Sequence, residues 1–181
     1  FMTFASLITC SRIFLIIPVI YLTSLEQIEF NILALICFLL AGLTDYLDGY
    51  VARKTDTESA FGALLDLLAD KLLVCLTLVW LITLNNSLIF VIPVLIIVLR
   101  ELSISSIRQH IVEESGVNNL EVSYVGKSKT TIQFIAICLA IIAPGMGLYL
   151  YILSIIFLWL ASLISVISLY KYLVTWNKFF N

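Results

Sequence analysis

The chain has 181 residues, of which 62% are hydrophobic and only 12% charged, with a formal net charge of −2 and a mean hydropathy of +1.12. An ordinary soluble domain is about 45–50% apolar, so this composition excludes a water-soluble globular fold and indicates an integral membrane protein. The near balance of charge says little about partners beyond giving no reason to expect a nucleic acid.

Six apolar runs follow one another, each near the roughly 20 residues that a helix needs to cross a bilayer. The first covers about 7–23, contains Pro18, and carries Arg12 where it would meet a membrane surface; a short amphipathic start along the interface is expected before it. No small-residue cleavage site follows this run, which therefore reads as a span and not as a leader. The second run covers about 30–50 and the third about 60–83. The fourth, about 88–107, contains Pro93, Arg100 and Glu101, the last two a candidate internal ion pair. The fifth, about 130–142, is extended backwards to Lys127, and the sixth covers about 148–169. The predicted fold is thus all-α, with six transmembrane helices in one domain over 1–181.

Connections are short except for 108–129, a polar stretch that reads as a surface loop or as a helix end followed by a loop, with Gly116, Asn118 and Asn119 marking the turn. Cys10, Cys37, Cys75 and Cys138 are widely separated inside apolar runs, which suits small core residues better than a metal or redox site. All ten Lys and Arg fall toward the side that holds both chain ends. By the positive-inside rule, that side is cytoplasmic.

The second and third runs contain the chemistry. Asp45 and Asp48 are three residues apart, and Asp66 and Asp70 four apart, so each pair shares one face of a helix. All four fall at one depth, near the connection between the two runs. Four carboxylates in a dry interior cannot all stay ionised without a cation, because each raises its neighbours' pKa and each loses hydration. Oxygen ligands without His or Cys favour Mg²⁺, Mn²⁺ or Ca²⁺ over zinc. Four acids exceed the need of one ion and suit a pair about 3.5–4 Å apart acting on a phosphoryl group.

The residues around the acids allow two readings each. Gly49, Ala52 and Gly62 are either helix-packing contacts or room for a ligand to approach the backbone. Arg53 is either an interfacial anchor or a planar clamp for phosphate. Lys71 either neutralises the cluster or anchors its span. Arg108, Lys127 and Lys129 are either ordinary cytoplasmic anchors or the seat of a phosphorylated, water-soluble substrate.

The spacing D-x2-D-G-x2-A-R-x8-G-x3-D-x3-D runs unbroken from Asp45 to Asp70 and resembles the signature of the CDP-alcohol phosphatidyltransferases. The stretches L-I-T-C-S-R (Leu7 to Arg12), R-E-L-S-I-S-S-I-R (Arg100 to Arg108) and G-K-S-K-T (Gly126 to Thr130) resemble the branch of that family whose acceptor is glycerol 3-phosphate. Ser6 stands where that branch usually has Asn, and Leu67 where it usually has Pro; neither departure touches a charge.

The resemblance implies a homodimer of six-helix chains in the cytoplasmic membrane, transferring a phosphatidyl group from CDP-diacylglycerol to an alcohol with loss of CMP. It implies two ions, Mg²⁺ or Mn²⁺, on Asp45, Asp48, Asp66 and Asp70, with Asp70 also the general base. Asp45, Gly49, Ala52, Arg53, Gly62 and Asp66 would surround CDP-diacylglycerol, and Arg108, Lys127 and Lys129 would hold glycerol 3-phosphate. The competing readings are an enzyme of this class with another acceptor (serine, inositol phosphate or phosphatidylglycerol) and a divalent-cation transporter.

Overall fold

Apolar runs of this length in lipid must satisfy every backbone N–H and C=O internally, which leaves the helix as the available form. The computed structural model describes residues 4–55, 60–115 and 124–180, with side chains placed for 11–44, 68, 69, 71–107, 109 and 129–174. Six helices account for them: α1 (Phe4–Ser24), α2 (Ile28–Thr55), α3 (Ala60–Leu84), α4 (Leu88–Ser115), α5 (Tyr124–Met146) and α6 (Leu148–Phe180).

Among the described residues, three stretches are long and apolar enough to cross a membrane: Leu88–Ile107, Lys129–Met146 and Leu148–Val174. The described apolar parts of the other helices, Ser11–Ser24, Ile28–Thr44 and Lys71–Leu84, are shorter. The chain is therefore a multi-pass membrane protein. Its surface agrees, because Phe14, Ile17, Leu88, Leu99, Leu163 and Ile167 are each more than half exposed, a liability in water but not in lipid.

Several helices outrun the apolar stretches that announce them. α4 continues to Ser115 and α6 to Phe180, because loss of hydropathy marks the edge of a bilayer and not the end of a helix. Residues 108–115 contain neither Gly nor Pro, so nothing breaks the helix there. Much of the expected 108–129 loop is thus helical at both ends, and the Gly116 turn lies outside the described residues. No separate interfacial helix precedes α1 among the described residues, and α1 is continuous from Phe4 to Ser24. Arg12, expected at a membrane surface, is fully buried in the helix packing.

Tight turns close one end of the bundle. After α1, the amide of Glu26 donates to the Thr23 carbonyl at 3.4 Å. Ser87 begins α4 by accepting from the amides of Phe90 at 2.9 Å and Val91 at 3.0 Å. α5 breaks at Pro144 (φ −61°, ψ 118°) and Gly145 (φ 96°), the latter in a region that favours glycine. Asn31 of α2 donates its side-chain amide to the Pro144 carbonyl at 2.7 Å, satisfying an acceptor that the break frees. α1 packs on α2 and α3, α4 on α3 and α6, and α5 on α2 and α6.

Small residues allow these helices to approach closely, as lipid offers little hydrophobic drive for association. Ala34, Phe38 and Ala41 of α2 are buried, as are Ala136, Ala140 and Ala143 of α5 and Ser154, Ala161, Ser162 and Ser165 of α6. Gly42 shows how tight the fit is. A Cβ there would lie 2.6 Å from the Phe134 ring of α5, and that ring is stacked on Phe38 with centroids 4.8 Å apart.

Overpacking of this kind costs about 1–3 kcal/mol. We therefore expect Gly42→Val to lower the thermal unfolding midpoint of the detergent-solubilised protein, with Phe134→Leu in the same chain recovering part of the loss. An unchanged midpoint for Gly42→Val would contradict the α2–α5 contact.

Candidate active site

The end of the bundle opposite the tight turns carries the signature residues. Asp45 and Asp48 lie on α2, about 15 Å and about 10 Å before its end, and Asp66 and Asp70 lie on α3, about 9 Å and about 15 Å after its start, at about 1.5 Å per residue. Only residues 56–59 connect the two helices, a link that spans at most about 18 Å. Both pairs thus lie within about 15 Å of the α2–α3 connection along their own helices. The side chains of Asp45, Asp48, Asp66 and Asp70, and those of Gly49, Ala52, Arg53 and Gly62 around them, lie outside the described residues. Arg108 falls on α4 and Lys127 on α5, with side chains likewise outside the description.

Lys129 is described, and it does not face outward. It is 1% exposed, and its ammonium donates to Glu101 Oε1. The same oxygen lies 3.4 Å from Arg100 Nη1, and Arg100 Nη2 donates to Ser168 Oγ at 2.8 Å. Glu101 therefore gathers cations from its own helix and from α5, and Arg100 carries the network on to α6. The expected Arg100–Glu101 pair exists, but Lys129 is the closer partner of the carboxylate. Holding a substrate phosphate from position 129 would require breaking a buried ion pair, so Lys129 serves first to join α5 to α4.

Lys71, one residue after Asp70, donates to Ser105 Oγ of α4. It lines a small cavity of about 80 Å³ with Val74, Glu101, Thr130, Gln133 and Phe134. Beside this lies a larger apolar groove of about 610 Å³ between α2, α3 and α5, walled by Leu39, Leu40, Gly42, Leu73, Thr131 and Ile135 among others. Val74, Thr130 and Phe134 border both spaces. The groove mouth at Gly42 and Leu43 lies less than one turn before Asp45 along α2.

Sequence reasoning missed the Glu101–Lys129 pair, the Lys71–Ser105 bond and Gln133. A signal for the first was present: a carboxylate inside an apolar span requires a cation, and Glu101 has only Arg100 beside it in sequence. Nothing in the sequence pairs Lys71 with Ser105.

Comparison with known proteins adds a family. The sequence profile described as CDP-alcohol phosphatidyltransferase matches residues 2–167. A protein of Wigglesworthia glossinidia brevipalpis named CDP-diacylglycerol–glycerol-3-phosphate 3-phosphatidyltransferase is 35% identical over 176 residues, covering 95% of this chain and 96% of its own length. Proteins of the same name from Haemophilus influenzae and Rickettsia felis are 38% identical over 75% of this chain and 72% of their own, and 34% identical over 96% and 94%, respectively.

Removing one partner of a buried ion pair costs about 3–5 kcal/mol. Glu101→Gln is expected to lower the unfolding midpoint strongly, and Glu101→Gln with Lys129→Met to restore part of it. If the single variant unfolds at the parent midpoint, the network does not hold α4 to α5.

Proposed function

Because the chain belongs to the CDP-alcohol phosphatidyltransferase family, we propose that it transfers the phosphatidyl group of CDP-diacylglycerol to glycerol 3-phosphate, giving phosphatidylglycerophosphate and CMP. The observation that carries this reading is the match of 2–167 to the family, together with relatives along nearly the whole chain that bear the name of that reaction. The unbroken Asp45 to Asp70 spacing supports it residue by residue.

The carboxylates of Asp45, Asp48, Asp66 and Asp70 suit hard divalent cations, and Mg²⁺ or Mn²⁺, two per chain, would be held among them. When bound, such ions supply the positive charge that polarises the phosphorus and offsets the charge on the leaving phosphate. Arg53 adds a fixed cation beside the diphosphate, and Gly49, Ala52 and Gly62 leave space for the cytidine end against the helix backbones. Arg108 and Lys127 hold the acceptor's phosphate.

The primary hydroxyl of glycerol 3-phosphate attacks the phosphorus that carries diacylglycerol, and Asp70 takes its proton. A phosphorus–oxygen bond to the acceptor forms as the bond to the phosphate of CMP breaks. The displacement is direct: no Ser, Cys or His stands at a fixed position of the motif to serve as an intermediate nucleophile. The acyl chains stay among the helices, and the apolar groove beside Gly42 is continuous with the lipid-facing surface there. Six spans, a homodimer, and cytoplasmic placement of the site and both termini complete the reading. The distribution of Lys and Arg supports that orientation.

The test is CMP release from CDP-diacylglycerol in mixed micelles. Release should require glycerol 3-phosphate, stop on addition of EDTA, return with excess Mg²⁺ or Mn²⁺, and fall by about 10²–10⁴-fold in Asp70→Asn. CMP release that persists in EDTA, or that proceeds with serine or inositol phosphate instead, would overturn it. Lys127→Ala should raise KM for glycerol 3-phosphate with little change in KM for CDP-diacylglycerol. Equal KM values for the acceptor in parent and variant would remove Lys127 from the site.

A further inference from the structure

Gln133 is a buried amide that the ion-pair network does not use. It stands one turn beyond Lys129 on the same face of α5, is 3% exposed, and its Oε1 has no hydrogen-bond partner among the described residues. An unsatisfied buried acceptor costs about 1–3 kcal/mol, which any apolar residue of similar size would avoid. The amide lines the cavity of about 80 Å³ to which Lys71, Glu101 and Thr130 also contribute. That space admits a water or one small polar group.

The chemistry of an amide narrows the choice of group. Its oxygen accepts and its nitrogen donates, so the full complement is a group that does both. A hydroxyl qualifies, whereas an ester or an ionised phosphate only accepts and an ammonium only donates. The location narrows it further. Among the described residues, Lys71, directly after Asp70, walls the cavity on α3, and Thr130, less than a turn after Lys127, walls it on α5. In glycerol 3-phosphate the middle hydroxyl lies between the reacting primary hydroxyl and the phosphate, the two ends assigned above to Asp70 and Lys127.

We propose that Gln133 receives the secondary hydroxyl of the polyol acceptor in this cavity, and so selects acceptors that carry one. This rests on glycerol 3-phosphate being the acceptor. In the resting protein a water occupies the place of the hydroxyl, and the acceptor displaces it without net loss of hydrogen bonds. An acceptor lacking the group would leave the amide unsatisfied.

The experiment compares glycerol 3-phosphate with 3-hydroxypropyl phosphate, which keeps the primary hydroxyl and the phosphate but lacks the middle hydroxyl. In the parent protein kcat/KM should fall by about 10–100-fold with the deoxy compound, the range that an unpaired buried group implies. In Gln133→Met the two compounds should become nearly equal, mainly through loss of activity toward glycerol 3-phosphate. Gln133→Leu is measured beside it, and the unfolding midpoint of each variant separates lost folding from lost recognition. A parent protein that does not distinguish the compounds overturns the proposal without recourse to any variant. A folded variant that keeps the parent's ratio also overturns it and makes Gln133 a hydration site only. If glycerol 3-phosphate supports no CMP release while another alcohol does, it is the underlying acceptor assignment that has failed.

Discussion

A charge carried into a bilayer-spanning helix must meet an opposite charge, a dipole or water at its own depth, and this constraint organises the chain. Glu101, Lys129 and Arg100 show it directly. Each lies within an apolar span, and each is paired with another, Arg100 also with Ser168. Because the partners sit on α4, α5 and α6, satisfying the charges also sets how these helices pack. Such a network is weak evidence for raw stability, since desolvation consumes much of the attraction. Its effect is register: sliding α5 by one turn would carry Lys129 away from Glu101.

The same constraint governs the carboxylates of α2 and α3, with a different solution. In sequence, the basic residues near these carboxylates are Arg53, Lys54 and Lys71. In the proposed reading, divalent cations supply the charge that balances the four acids on these consecutive helices.

The six helices were legible in the sequence because apolar runs of bilayer length admit no other form. Their ends were less so. Hydropathy falls at Arg108, yet α4 continues to Ser115, as helix formation depends on backbone bonds and not on the surrounding solvent. That Asp45, Asp48, Asp66 and Asp70 fall on helices was also legible, since their spacing matches helix periodicity. What could not be read was the direction taken by each basic residue near a span end. Lys129 and Lys127 are two positions apart and look equivalent as cytoplasmic anchors, but residues so spaced face different sides of a helix, and Lys129 is the one turned toward Glu101. Gly42 presents the same difficulty: nothing in its sequence context points to Phe134 as its contact, a ring that borders both the apolar groove and the small cavity.

The account stands or falls on cations bound by the α2 and α3 carboxylates, and the most direct measurement is Mn²⁺ binding followed by electron paramagnetic resonance on the purified protein. The expected result is about two ions per chain, with binding reduced in Asp45→Asn and in Asp66→Asn while the unfolding midpoint without metal is kept. A protein that binds no Mn²⁺, or binds it equally well in both variants, would contradict the account.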